Sequence, residues 1–486
     1  MMKPLTASIP KRKFDEFLSL ENNHRIIFSG IFGNGKTTFL KTYFKENKEY
    51  LAIHLFPTNY TTSKNEDVFE LMKFDILYEI LRLEPELSEF KFEKDYAAYL
   101  AVYKTPSIVI DPISSLIEAI PKIGKPIATV LKSAFNLNEA IKKEIKETED
   151  SEIKKVFDFA KRIFDKIGSP YENDLYTDLI KKQLQGIKAK NSSKKAILII
   201  DDLDRIDPDQ IFRLLNVFSV HFDVDGSENK FGFDNILFCC DANNIRRIFL
   251  NRFGTDVDFN GYFDKFYSSE IFYFDNKSEI KNRVNEILLT IQPRKGKLWD
   301  KKRVRPSETM SFGSIQYFIE SMIISETFNL RQLIRLDNYN YEESKYKMRD
   351  LFRSTFSNHN IYMAITFDFM ISIYGGIDGF LSALRRTRFP KKDSVGDYII
   401  DRLVGDLIML SDYLHNKFQL KKEFKHLKSE IKYTIESHAH DPFRSVFFAT
   451  ISKGDRVDWI DSVDLDSLII EAFLAYVSLR GEAIHE

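Results

Sequence analysis

The residues of this chain that point most clearly to chemistry form a glycine-rich loop at residues 30–37. The loop reads Gly30-Ile31-Phe32-Gly33-Asn34-Gly35-Lys36-Thr37, which has the form GxxxxGK[ST]. Glycine reaches backbone angles that other residues avoid, so such a loop can curl its N–H groups around a phosphate. The lysine neutralises the β- and γ-phosphates, and the threonine hydroxyl ligates Mg²⁺. We therefore expect nucleotide phosphates to be bound by Gly30, Gly33, Asn34, Gly35, Lys36, Thr37 and Thr38.

The residues flanking this loop favour a phosphate site over a chance match in a turn. Residues 25–29 form an apolar run typical of a buried strand. After the loop, Phe39 and Tyr43 are four residues apart, as on one face of a helix. A strand, a glycine-rich loop and a helix in this order form the context that the motif requires, and the helix adds its positive N-terminal end.

A pair of acids follows a second apolar run, at residues 196–200. Acids at the carboxyl end of a buried strand lie where open α/β sheets bind their ligands. We expect Asp201 to hold Mg²⁺ together with Thr37, and Asp202 to orient or deprotonate an attacking water. An acidic cap between a strand and a helix is the alternative interpretation of this run.

Two further apolar runs complete the predicted sheet. Residues 235–240 end at Asp241, which we expect to sense the γ-phosphate, with Asn243 as the second choice. Residues 269–274 are predicted to form the last strand.

The composition excludes several classes of protein. The 486 residues carry a formal net charge of −1, which excludes a globally basic nucleic-acid coat and an acidic disordered tail. The two cysteines are adjacent, so they close no loop as a disulfide, and a cytoplasmic location is expected. The longest apolar run, residues 361–377, has Asp368 at its middle and is predicted to be a buried core helix.

Taken together, these motifs resemble those of the KAP family of P-loop NTPases. The resemblance rests on residues 30–37, on the run ILIIDDLDR that ends at Arg205, and on the strand that ends at Asp241. It continues through Tyr262-Phe263-Asp264-Lys265-Phe266 and Asn329-Leu330-Arg331-Gln332-Leu333-Ile334-Arg335, and covers residues 15–340 in all.

The resemblance implies ATP and Mg²⁺ as cofactors, and ATP hydrolysis coupled to a conformational or oligomeric switch. It implies that Lys265 reaches the phosphates of a neighbouring subunit and that Arg331, on a helical lid, senses the nucleotide. Alternatively, Lys265 is an ordinary surface lysine, and Arg331 pairs with an acid on its own helix. Arg205 is either another subunit-contact cation or a group that holds Asp202 or Asp204 in place.

The expected fold is a three-layer α/β P-loop NTPase with an ASCE/AAA+-like parallel sheet, a helical insertion, a helical lid and an all-α C-terminal region. The predicted boundaries are residues 1–83 for an N-terminal helix and the first half of the core, 84–190 for the insertion, 191–276 for the second half, 277–345 for the lid, and 346–486 for the C-terminal region.

Relatives in this family often carry membrane helices within the insertion, and this chain departs from that pattern. The most apolar part of its insertion, residues 107–135, is interrupted by Asp111, Lys122 and other charges, and by three prolines. We therefore expect no membrane association. The expected partners are further copies of the chain, with shared ATP sites, and a separate effector protein.

Two basic clusters bear on nucleic acid as a partner. One extends from Arg294 to Arg305 and the other from Arg385 to Lys392. Cations beside Trp299 or Phe389 would suit backbone phosphates and a stacked base. A solvated loop is the alternative interpretation of each cluster.

Three functions are compatible with these patterns. The first is an ATP-driven regulatory switch, plausible in bacterial anti-phage defence. The second is a nucleic-acid-directed motor or loader, and the third is a scaffold that binds nucleotide with little hydrolysis. Asp202 stands where the AAA+ pattern has Glu, and this shorter carboxylate suits a slow switch more than a fast motor.

Overall fold

The structure is a computed structural model that describes residues 7–62, 68–83, 175–190, 194–225, 229–290, 310–338, 362–390, 423–426, 429–437, 447–451 and 464–479, with short stretches between 403 and 412. Most of the predicted insertion lies outside the described residues, as do the first basic cluster and the end of the second. The chain divides into an N-terminal unit, Ser8–Asp275, and a C-terminal unit that begins at Asn276.

The N-terminal unit is built on a five-stranded sheet with the order β2-β3-β4-β1-β5. Its strands are β1 (Arg25–Ser29), β2 (Tyr50–Leu55), β3 (Lys195–Ile200), β4 (Asn235–Cys240) and β5 (Ile271–Tyr273). All neighbouring strands are parallel. Every residue of β4 is buried, as expected for a central strand covered on both faces.

Helices cover both faces of this sheet and make the three-layer α/β fold that was predicted. Among the described residues of the N-terminal unit, the helices are α1 (Ser8–Leu18), α2 (Lys36–Glu46), α3 (Val68–Leu83), α4 (Leu175–Lys190), α5 (Pro208–Asp225), α6 (Ala242–Phe253) and α7 (Phe259–Phe263). Successive side chains of a strand point to opposite faces. Accordingly, Ile27 joins a core with Phe69, Ile180 and Leu214, on α3, α4 and α5.

The opposite face is filled by aromatic rings. Phe28 of β1 lies 5.3 Å from Phe14 of α1 and 5.9 Å from Phe39 of α2, measured between ring centroids. Phe272 of β5 lies 5.1 Å from Phe14. This cluster attaches α1, and the helix that follows the glycine-rich loop, to the strands beneath them.

Strand β2 was not predicted from the sequence. Leu51, Ile53 and Leu55 are buried, whereas the residues between them are partly exposed. This alternation of period two is the pattern of a strand with one face fully covered, here at the edge of the sheet. The predicted last strand at 269–274 is shorter than expected, at Ile271–Tyr273.

The C-terminal unit has a separate, mainly helical core. The helices described in this unit include α8 (Lys277–Thr290), α9 (Met310–Ile324), α10 (Leu330–Asp337), α11 (Tyr362–Tyr374), α12 (Ile377–Leu384) and α13 (Leu465–Leu479). Phe318, Phe367, Phe380 and Phe473 are fully buried at its centre. Helix α11 falls within the run predicted as a core helix, and its residues Phe367, Met370 and Ile373 are buried, which confirms that prediction.

The prediction of an all-α C-terminal region is wrong between residues 423 and 451. Three strands, β6 (Glu423–His426), β7 (Ser429–Ser437) and β8 (Phe447–Ile451), form an antiparallel sheet in chain order. Along β7, Ile431, Tyr433 and Ile435 alternate with polar residues. An alternation of period two favours a strand over a helix, and the prediction for this region, which rested on helical spacing, did not take the alternation into account.

In the part of the chain that the structure describes, no single helix has both the length and the apolar character needed to cross a bilayer. The helices Thr366–Tyr374 and Ile377–Leu384 meet that test only as a pair, and the pair is bent by 102°.

Candidate nucleotide-binding site

The glycine-rich loop joins β1 to α2 and has the backbone shape that its glycines permit. Gly33 and Gly35 have φ of 81° and 92°, in the left-handed region that favours glycine. Gly35 is the residue before the first turn of α2, so the loop ends at the positive end of that helix. At Gly30, a Cβ atom would lie 3.2 Å from Cδ of Lys36, so the absence of a side chain lets the lysine fold back over the loop.

Lys36, the first residue of α2, is held over this loop and is almost fully buried. Its Nζ donates to the carbonyl oxygens of Gly30 and Ile31, at 2.6 Å and 3.2 Å. A phosphate at the loop would compete for the same ammonium protons and offer a full negative charge. The lysine is therefore positioned for the role predicted from the motif.

The other predicted phosphate ligands lie on the same loop and helix. Asn34 is buried, and its Nδ2 donates to the carbonyl oxygen of Phe274, 3.2 Å away, which connects the loop to the chain after β5. Thr37 is partly exposed and Thr38 is exposed, both in the first turn of α2. Backbone N–H groups in a first helical turn have no partner within the helix and suit an anion.

Asp201 lies at the end of β3, fully buried, and is surrounded by hydrogen-bond donors. Its Oδ2 lies 2.8 Å from Nε2 of His54, at the end of β2. Its Oδ1 accepts a hydrogen bond of 2.8 Å from the backbone N–H of Asp202. Thr37 and Cys239 lie close enough to this carboxylate to lower its pKa. The pairing of β3 with β4, and of β4 with β1, puts the predicted metal ligands Thr37 and Asp201 next to the same edge of the sheet.

These neighbours keep Asp201 ionised despite its burial. Burial by itself raises the pKa of Asp201, but the hydrogen bond from His54 and the interactions with Cys239 and Thr37 lower it to below its usual value. A carboxylate and a hydroxyl are oxygen ligands of the kind that Mg²⁺ uses with nucleotide phosphates and water. The residues present therefore fit Mg²⁺, with Thr37 and Asp201 as its protein ligands.

Asp202 has a different environment from its neighbour. Its backbone is left-handed, with φ of 53° and ψ of 35°, so the chain turns sharply after β3. Burial and the adjacent charge of Asp201 raise the pKa of Asp202 above its usual value, while Arg205 and Lys36 act in the opposite direction. Neighbouring carboxylates in unlike environments can divide the work of holding a cation and accepting a proton.

Arg205 forms an ion pair with Asp202, whose Oδ2 lies 3.0 Å from Nη1 of the arginine. Asp202 is one of the two acids that the sequence suggested as partners of this arginine. The other, Asp204, accepts a hydrogen bond of 3.0 Å from Nδ2 of Asn244.

Asp241, the predicted γ-phosphate sensor, follows β4 and caps the next helix. Its carboxylate accepts a hydrogen bond from the backbone N–H of Asn243, 3.0 Å away, at the start of α6. Asn243 is exposed. The parallel pairing of β4 with β1 and β3 puts Asp241 at the same edge of the sheet as Asp201 and the loop. Its role as a phosphate sensor stays a prediction.

Lys265 lies outside this cluster of loop and acid residues. It is exposed, and its Nζ lies 3.1 Å from Oδ1 of Asn216 on α5 and 4.3 Å from the ring centroid of Tyr262. Partial enclosure lowers the pKa of Lys265. Neither contact belongs to the phosphate loop, so the lysine is placed on the surface of the N-terminal unit and its role toward a neighbouring subunit stays a prediction.

Arg331, the predicted lid sensor, lies in the C-terminal unit, in the first turn of α10. A capping box begins this helix: the Asn329 side chain accepts from the first turn, and Gln332 accepts from the backbone N–H of Asn329. The Arg331 side chain is exposed. Its proposed contact with nucleotide stays a prediction.

Sequence reasoning missed His54 and Cys239 as partners of Asp201. His54 lies on the unpredicted strand β2, and its ring stacks on Phe56 at 4.6 Å. Cys239 was interpreted as a small apolar residue of β4, which its complete burial supports. The alternating pattern of residues 50–55 is the signal that would have revealed the strand, and with it the histidine next to the acid.

Comparison with known protein families matches residues 18–336 to the family described as the KAP family P-loop domain. A search among curated proteins found no significant match. The family match covers the phosphate loop, the Asp201–Asp202 strand end, Lys265 and Arg331, and thus all the segments on which the resemblance rests. The chain belongs to the KAP family of P-loop NTPases.

Proposed function

We propose that this protein hydrolyses ATP and uses the hydrolysis cycle as a conformational or oligomeric switch. Membership of the family implies a nucleotide-binding ATPase. The observation that carries the proposal is the convergence of Thr37 and Asp201 beside Asp202 and the buried Lys36. These are the groups that phosphoryl transfer to water requires.

Each group has one task in the proposed reaction. The loop and Lys36 bind the β- and γ-phosphates and offset charge that develops on them. Asp202 orients a water molecule and accepts its proton as the water oxygen bonds to the γ-phosphorus. The bond from that phosphorus to the β-phosphate oxygen breaks, and its electron pair leaves with ADP. Mg²⁺, held by Thr37 and Asp201, would further neutralise the phosphates.

A switch fits the site better than a fast motor for two reasons. Asp202 has a shorter side chain than Glu and holds an attacking water less well. The exposed Lys265 is a cation that a neighbouring copy of the chain could use at its own phosphates. The proposed setting is bacterial anti-phage defence, in which assembly with ATP would recruit a separate effector.

Substitution of Lys36 and Asp202 tests the enzymatic part of the proposal. Lys36→Ala should weaken the binding of a fluorescent ATP analogue by roughly 100-fold or more, because it removes a buried charge from the phosphates. Asp202→Asn should retain binding and lower kcat by about 10²–10³-fold, because the amide cannot accept the proton. Asparagine also tolerates the left-handed backbone at this position.

The matched control is Lys45→Ala, an exposed lysine on the same helix as Lys36, which should behave as wild type. If both Lys36→Ala and Asp202→Asn retained wild-type binding and turnover, the assignment of ATP hydrolysis to these residues would fail.

The same ATPase assay with added DNA or RNA tests the motor alternative. In the described part of the second basic cluster, Arg388 pairs with Asp466 and the Phe389 ring is buried against Phe318. That ring is therefore not presented to a base, and we expect nucleic acid to leave turnover within about twofold. Strong stimulation would favour the motor.

A further inference from the structure

Arg205, in a short 3₁₀ turn at Leu203–Arg205, reaches back to the acid that precedes the turn. Its Nη1 lies 3.0 Å from Oδ2 of Asp202, and the side chains of the arginine and the acid are 38% and 25% exposed. The left-handed backbone at Asp202 makes this return possible, because it reverses the chain between the end of β3 and the turn.

One face of the same guanidinium is covered by the ring of Phe32, which belongs to the phosphate loop. Cζ of Arg205 lies 3.8 Å from the ring centroid of Phe32, a distance within the range of a stacked cation–π contact. Phe32 is 41% exposed, so it does not serve as an ordinary core residue. An exposed ring among glycines is instead bound to the arginine that holds Asp202.

We propose that Arg205, clamped between Asp202 and the Phe32 ring, is a positioning residue for hydrolysis. It holds Oδ2 of Asp202 so that Oδ1 faces the attacking water. Through the Phe32 ring, it also connects the orientation of this carboxylate to the phosphate loop. The proposal rests on the function proposed above for Asp202. A carboxylate rotates about one bond, so an ion pair at one oxygen sets the direction of the other. Among the described residues, no side chain donates to Oδ1.

The clamp also decides between the two roles left open for Arg205. A cation that serves a neighbouring subunit must be able to leave its own chain, whereas this guanidinium has an ion pair on one side and a ring on the other. We therefore expect Arg205 to act within its own subunit, through Asp202.

Steady-state ATPase kinetics and nucleotide binding by the full-length protein test this inference. Arg205→Ala should lower kcat roughly tenfold, while affinity for the fluorescent ATP analogue stays within about twofold, since the arginine contacts the loop through the Phe32 ring and not through a group expected to bind phosphate. Phe32→Leu should lower kcat severalfold, whereas Phe32→Tyr should keep kcat near the wild-type value because the aromatic ring is retained. Arg205→Lys should rescue only in part, because an ammonium cannot stack as a plane.

A double-mutant cycle separates positioning from a general structural role. In the Asp202→Asn background, Arg205→Ala should cause no further loss of kcat, because its effect passes through the Asp202 carboxylate. Multiplicative losses would overturn the inference, as would a selective loss of nucleotide affinity or of ATP-dependent assembly in Arg205→Ala. Circular dichroism and thermal unfolding establish that each variant is folded, and Lys45→Ala serves again as the control.

The outcomes also distinguish this inference from the proposed function. A wild-type protein without ATP turnover would overturn both. Turnover that is lost in Asp202→Asn but unchanged in Arg205→Ala and Phe32→Leu would leave the ATPase in place and overturn the clamp.

Discussion

At the scale of residues, the site is a set of carboxylates whose partners differ. Asp201 is buried next to His54, Thr37 and Cys239, which lower its pKa, and it stays ionised, as the predicted Mg²⁺ ligand would have to be. Asp202, one residue later, has a raised pKa and a single arginine partner. The sharp turn of the backbone at Asp202 is what gives two consecutive residues such different surroundings.

His54 provides a residue-scale prediction. Because Asp201 is ionised, Nε2 of His54 donates to it and sets its orientation, in the manner of partners that orient a metal ligand. His54→Phe keeps the ring that stacks on Phe56 but loses the donor. We expect the Mg²⁺ concentration needed for half-maximal binding of ATP to rise about tenfold or more, as measured by titration with a fluorescent analogue.

Two comparisons make the His54 prediction specific. His54→Gln offers an amide donor at similar reach and should recover much of the Mg²⁺ response. Tyr50→Phe, on the same strand, loses only a hydroxyl and should match the wild type. Equal Mg²⁺ responses in His54→Phe and the wild type would contradict a role for the histidine in orienting Asp201.

At the scale of elements, the edge strand β2 supports the site from within the sheet, and the helix α1 supports it from one face of the sheet. Strand β2 carries His54 and continues through a 3₁₀ turn at Pro57–Thr62 to α3. Helix α1 inserts Phe14 into the aromatic cluster, where it meets Phe39 of α2 at 5.7 Å. The helix that begins with Lys36 is therefore attached to the sheet through rings, and its position depends on α1.

Phe14→Ala tests this attachment. The ring is fully buried and contacts rings of α2, β1 and β5, so its removal leaves a cavity that the rigid neighbours cannot fill. We expect the free energy of unfolding of the N-terminal unit to fall by about 3–5 kcal/mol. Thermal unfolding with and without ADP identifies the relevant transition, because ligand binding raises the midpoint of the unit that binds it.

Ile9→Ala is the matched control on the same helix. Ile9 is 43% exposed, so its truncation should change stability by less than about 0.5 kcal/mol. If Phe14→Ala and Ile9→Ala shifted the ADP-sensitive transition equally, α1 would be a peripheral helix and not a support of the site.

At the scale of the whole molecule, the chain combines two units, each with its own hydrophobic core. The phosphate loop, both acids and Lys265 belong to the N-terminal unit, whereas Arg331 belongs to the C-terminal unit. The surface position of Lys265 suits a cation used between subunits. The corresponding prediction is that ATP sites are completed by assembly.

Mixing two inactive variants tests for a shared site. Lys265→Ala should bind ATP but turn over slowly, because the cation supplied to a neighbour is missing. Lys36→Ala binds no ATP but still offers Lys265. A mixture should regain activity, measured as phosphate release against each variant alone. Mass photometry should show larger assemblies with ATP than with ADP or without nucleotide.

The control mixes Lys36→Ala with a protein that carries both Lys36→Ala and Lys265→Ala. Neither protein in this mixture has an intact ATP site, so the mixture should stay inactive. A monomer under all three nucleotide conditions, with no recovery on mixing, would contradict shared sites and leave Lys265 as a surface lysine.

The local sequence determined the phosphate loop, the acids at the end of β3, and the strands and helices around them. Each of these depends on residues that are contiguous in the chain, where glycine placement and apolar runs directly reflect backbone preference. Strand β2 and the small antiparallel sheet also carry a local signal of period two, although the prediction did not include them.

Only the tertiary structure decided which distant side chains meet. The parallel register of β2 with β3, in which His54 pairs with Ile199, sets the histidine beside Asp201. The stacking of Arg205 on Phe32 joins two motifs separated by more than 170 positions in the sequence. Such contacts depend on strand order and on the course of loops in space, which one segment of sequence does not encode, because cooperative packing selects them only when the whole core forms.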